Sequence, residues 1–141
     1  LTSKNGRNFY EGNARLNKYL HLAQNIYIAK TGEQLLDSIF YAYDNGAVIP
    51  EVQENYVVLL NQKNQTIELP PEIKNFLDRI FIAFQNASLD ELIELSHEDA
   101  EWIDKHSYYS KENQKMNSIE RADEYRKQYA DIVKVMDRMK I

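Results

Sequence analysis

The chain has 141 residues, with 17 basic against 22 acidic side chains for a net charge of −5, and no cysteine. That length fits a single domain that buries about 68–70% of its unfolded surface and needs no staple. The missing cysteines exclude disulfides, thiolate metal sites and thiol catalysis and fit a reducing cytoplasm, while the acidic balance disfavours nucleic acid, whose binding draws most of its non-specific affinity from neutralised phosphates.

Leu1 to Asn13 is polar, holds Gly6 and Gly12, and reads as a lead-in over 1–13 that Phe9 and Tyr10 tack onto the body. Leu16, Tyr19, Leu20, Ala23, Ile26 and Tyr27 then recur at three- and four-residue steps, predicting a helix from about Ala14 to Lys30, closed by Gly32 at a left-handed C′ position. Ser38 to Asp44 is β-branched and aromatic, ends at the turn signal Asn45-Gly46, and reads as an extended segment. Its most apolar part, Ile39 to Tyr43, is far below the ~20 residues that span a bilayer. Residue 1 is Leu, which fits a trimmed chain or a fragment of a longer one.

Pro50 sits where a helix can open, with Val52, Tyr56, Leu59 and Leu60 on one face. Thr66 to Leu69 is a short strand candidate that could form a hairpin with Ile39–Tyr43. In Glu72 to Gln85 the residues Ile73, Phe76, Leu77, Ile80, Phe81 and Phe84 make the longest apolar stripe, predicting the central core helix. Ser88 to Glu91 reads as a capping box opening a helix through Leu95, and Ser96-His97-Glu98-Asp99 as a further helix start leading to Trp102 and Ile103. His106 to Lys115 reads as an exposed loop. A last amphipathic helix runs from Asn117 or Ser118 through Met136. The expected fold is a mainly α, single compact domain of about six helices with one short β-hairpin. The body lies at 14–106 and an exposed loop with a C-terminal amphipathic helix at 107–141.

No catalytic constellation stands out. His97, Glu98, Asp99 and His106 would be the residues of a metal-dependent hydrolase, but their spacing is not the HExxH pattern that puts two imidazoles on one helical face. Ser107 and Ser110 near His106 make no nucleophile elbow, and glycines at 6, 12, 32 and 46 form no phosphate loop. Arg126 and Lys127 on the last helix would serve a DNA-binding autoregulator, yet the interleaved Asp123, Glu124 and Asp131 favour a solvated face laced by ion pairs. There are ten tyrosines, five phenylalanines and one tryptophan; the tyrosines cannot all lie deep in the core, and they fit equally a core rim with wet hydroxyls or a binding surface, since Tyr and Trp favour interface hot spots.

The runs Leu16–Gln24, Thr31-Gly32 and Tyr41–Val52, followed in order by Leu69–Ile73, Ser88–Leu92, Leu95–His97 and Trp102, resemble the Panacea antitoxin domain of SocA-like, phage-associated proteins. The resemblance covers roughly Leu16 to Trp102. It departs at Ala47, where relatives carry Pro, at Tyr43, often Trp, and at Glu101, often Pro. It implies a non-enzymatic domain that acts by binding a protein, the cognate toxin, and that in some relatives hands the toxin to a protease. It implies no cofactor and no metal, and leaves self-association open. On this resemblance Tyr43, Gly46, Val48, Pro50, Glu51, His97 and Trp102 are the landmark or partner-binding residues, with Gly46 and Pro50 shaping a turn and His97 and Trp102 bracing it.

Overall fold

The computed structural model describes residues 6–44, 46–50, 70–108 and 112–139. Helix α1 (Gly6–Thr31) starts well before the expected Ala14, so much of the segment read as a lead-in has helical backbone. A glycine costs about 1 kcal/mol inside a helix, a penalty that a long helix absorbs once its first turn has nucleated. Its end is as expected: Gly32 has φ 77° and its N–H donates to Ile28 O at 2.8 Å.

The hairpin differs from expectation. Strand β1 (Tyr41–Tyr43) pairs antiparallel with β2 (Gly46–Val48), in the register Tyr41 to Val48, Ala42 to Ala47 and Tyr43 to Gly46. The Gly46 of the expected turn signal is itself the first residue of the return strand. The proposed partner strand Thr66–Leu69, and the helix face Val52 to Leu60, lie outside the described residues; Pro50 is already helical. On its other edge β1 meets the later chain, where Tyr41 bridges Lys115 and Met116 N–H donates to Phe40 O.

Helix α2 (Pro71–Phe84) forms where its stripe predicted, but it is not the centre of the core. Only Phe76 and Ile80 are buried, and Phe81 is 57% exposed. Among the described residues the centre is α1, which packs against β2, α2, the helix that follows α2 and the C-terminal helical segment. Leu22, Ala23, Ile26, Ile28 and Ala29 of α1 meet Phe76, Ile80 and Leu92, together with Tyr125, Tyr129 and Met136 of the C-terminal segment. A stripe marks an apolar face; it does not say how many neighbours that face will have.

Helix α3 (Leu89–His97) opens on the predicted capping box, Ser88 Oγ accepting from Glu91 N–H and Glu91 Oε1 from Ser88 N–H. It runs through Ser96 and His97, so the next start lies later than expected. Asp99 is the N-cap of α4 (Ala100–His106), its carboxylate accepting from Glu101 N–H. The expected last helix is broken into a 3-10 turn (Ser118–Arg121), α5 (Ala122–Gln128) and α6 (Ala130–Arg138), with Tyr129 at the break. Tyr125, Tyr129 and Met136, spaced as on one helical face, all reach the core across the break. The stretch read as an exposed loop contains a 3-10 turn (Glu112–Gln114) and leads into the buried Met116. Met116 joins Phe40, Ala42, Ala47, Ile49 and Trp102 in a second, smaller core.

Candidate functional site

Helix α1 buries a polar stripe as well as an apolar one. Asn17, Lys18, His21, Gln24 and Asn25 follow helical spacing and are all buried. Each meets a partner from elsewhere in the chain, because a buried polar group left unpaired costs about 1–3 kcal/mol. Asn17 Oδ1 accepts from Ile49 N–H, Lys18 Nζ donates to Ala47 O, and Gln24 Oε1 accepts from both Leu35 and Leu36 N–H. The helix therefore supplies the hydrogen bonds that the short strand β2 and the 33–38 connection cannot make for themselves.

The stripe converges on Asp99. His21 Nε2 lies 2.6 Å from Asp99 Oδ2, Asn25 Nδ2 donates to the same oxygen at 2.9 Å, and Tyr125 O–H donates to Oδ1 at 2.6 Å. Burial pushes the Asp99 carboxyl up, but the hydrogen bonds and charge of His21, with Tyr125 and Asn25, outweigh it and hold the group below its ordinary value. An ionised carboxylate only accepts, so His21 Nε2 carries the proton that points at it. On the other side of the ring Ser96 Oγ lies 2.9 Å from Nδ1 and accepts from Ala47 N–H. Burial and the charge of Asp99 push the Tyr125 hydroxyl up, keeping it a donor.

The order Ser96, His21, Asp99 is that of a hydroxyl nucleophile, base and orienting acid. All three side chains are sealed in the interior, and the Ser96 hydroxyl is already engaged by Ala47. What the arrangement does is tie α1, α3, α4, α5 and β2 to one charge. Sequence reading missed it because His21 and Asp99 lie 78 residues apart. A signal was present: a helical stripe of three amides and an imidazole with Lys18 its one charged residue, where a solvated face would be mostly Glu and Lys.

A second cluster lies outside this one. Trp102, 8% exposed, is sandwiched between His97 and His106, with ring centroids 4.1 and 4.3 Å away. Its Nε1–H donates to Tyr43 O at 2.9 Å. His97 Nε2 reaches Asp44 O at 3.0 Å and His106 Nε2 reaches Asp44 Oδ1 at 2.8 Å. Three rings from α3 and α4 thus hold the hairpin turn by its carbonyls and one carboxylate. The turn is also fixed from within: Gly46 has φ 110°, and a Cβ there would stand 2.5 Å from Ser96 Oγ and 2.8 Å from Lys18 Cε.

Of the residues singled out from sequence, Tyr43, Gly46, His97 and Trp102 come together here. Val48 is buried in β2, Pro50 begins the next helical stretch, and Glu51 lies outside the described residues. The hydrolase quartet is dispersed: Asp99 faces inward, Glu98 is exposed, and the indole keeps the imidazoles of His97 and His106 on opposite faces. Among the described residues no group of three or more His, Asp or Glu side chains could hold a metal ion.

The profile of the antitoxin SocA-like, Panacea domain matches residues 16–103. The chain belongs to that family. No curated protein and no solved structure matches it. The Panacea match takes in the polar stripe, the hairpin, α2, α3 and Trp102, but ends before Tyr125, so the hydroxyl that completes the Asp99 cluster comes from beyond it. Glu101 adds a further tie. Its buried carboxylate accepts from Asn117 N–H at 2.6 Å and Arg121 Nε at 3.1 Å, with Lys105 Nζ at 3.0 Å. Among the described residues no helix is long and apolar enough to cross a membrane.

Proposed function

We propose that this Panacea domain is a non-enzymatic antitoxin that neutralises a toxin protein by binding it directly in the cytoplasm. The observation that carries the reading is the family match over residues 16–103. The geometry supports it in kind, since the relay with a catalytic order found among the described residues is buried and the half-exposed rings lie around a fixed turn. We take 14–106 as the binding body and the later chain as its fastening. The nucleic-acid reading draws less support, because Arg121 bonds Glu101 and Glu124 and Arg126 bonds Asp123.

Co-expression tests the proposal. The product of the neighbouring reading frame should arrest growth alone, and growth should return when this chain is made beside it. A harmless neighbour, or one that stays lethal in the presence of this chain, would remove the antitoxin reading.

A further inference from the structure

The geometry points to the outer side of the hairpin, continued onto α4, as the surface that takes the toxin. The occupant we infer is a segment of the toxin presenting an arginine or lysine beside an apolar side chain. This rests on the antitoxin reading above and gives it a place and a chemistry.

Strand β1 alternates: Ala42 turns into the core, while Tyr41 and Tyr43 stay half-buried with ring centroids 6.0 Å apart. Tyr108, 46% exposed, is tied in by Gln114, whose Nε2 donates to Tyr108 O and whose 3-10 turn packs on β1. Ile103 follows Trp102 on α4 and is 56% exposed. At the turn stands Asp44, its side chain 96% exposed even though His106 holds one of its oxygens. The carboxylate is aimed without being buried.

Tyrosine rings on β1 and a positioned carboxylate at the residue that follows it are a match for a cation flanked by an apolar group. A guanidinium stacks on a tyrosine face and pairs with a carboxylate through its planar fork, and an ammonium does the same less specifically. The net charge of −5 acts in the same direction at longer range, raising the rate of encounter with a basic protein. Because Trp102, His97 and Lys18 already fix the hairpin, little of the surface has to be ordered on binding. Another exposed apolar pair, Phe81 and Ile82 on α2, fits less well. Phe81 is engaged by Tyr19, with ring centroids 5.4 Å apart.

The test uses the full chain co-expressed with the product of the neighbouring reading frame, reading growth rescue and then co-purification. Asp44→Lys and Ile103→Glu should each weaken association about tenfold or more and lose rescue, as expected for central contacts. Ile82→Glu on α2 should leave both readouts unchanged. All three positions are exposed, so melting temperatures should stay level; if Asp44→Lys melts lower, Asp44→Asn gives the same reading without the reversed charge. Rescue and binding retained by the Asp44 and Ile103 variants would overturn the proposed surface and leave the antitoxin reading standing. An unaltered chain that fails to rescue overturns both.

Discussion

The three histidines divide the molecule into two regions with opposite logic. His21 is sealed in the interior, and both its ring nitrogens are committed to partners from α3 and the start of α4. His97 and His106 sit half-exposed on the two faces of one indole and spend their Nε2 atoms on a single surface residue. The inner cluster joins elements far apart in the chain to one carboxylate, so it decides whether the fold forms. The outer cluster holds a turn in position, so it decides what the surface presents. Similar residues do both, and burial alone separates the roles.

The sharpest way to break that contrast is Asp99→Ala. It strands His21, Asn25, Tyr125 and the Glu101 N–H in the interior, and the expected loss is about 3–5 kcal/mol in chemical denaturation. A loss no larger than that of an outer-cluster variant would end the distinction. The pH dependence has a definite sign. The Asp99 carboxyl lies below its ordinary value when folded, so its contribution is present above the unfolded value of 3.8 and is lost as pH falls through the folded one. The acid limb of stability should therefore be shallower in Asp99→Ala.

Lys18 gives the opposite test at high pH. Burial lowers its amine to about 8. Between that value and 10.5 the unfolded chain binds more protons than the folded one, so stability should rise with pH, by up to roughly 3 kcal/mol. Tyr125 and Tyr129, pushed up by burial, reverse the slope once unfolded tyrosine ionises near 10. The rise is thus expected between about pH 8 and 10, measured by urea melts, and should vanish in Lys18→Met.

Smaller effects follow at the hairpin. Gly46→Ala should cost about 1–3 kcal/mol, since it adds a Cβ against Ser96 and Lys18 at a positive φ. Trp102→Phe, which leaves Tyr43 O without its donor, should cost about 1–2 kcal/mol in thermal unfolding. His106→Gln should change stability by at most about 1 kcal/mol, because its ion pair with Asp44 is exposed. A large destabilisation there would make the outer cluster a second foundation of the fold.

The sequence by itself determined what is local. Helix periodicity placed α2 and the body of α1, the Ser88 and Glu91 pair fixed the start of α3, and Gly32 fixed the end of α1, because each depends on neighbours within four residues. The ordered landmarks from Leu16 to Trp102 were also legible, and with them the family. Tertiary structure decided which helix is central, since an apolar stripe carries no record of how many partners will cover it. It also decided that β1 folds back on β2, and that the polar stripe from Asn17 to Asn25 lies inside. A buried polar side chain differs from a solvated one only in the partner it meets, and for His21 that partner is 78 residues away.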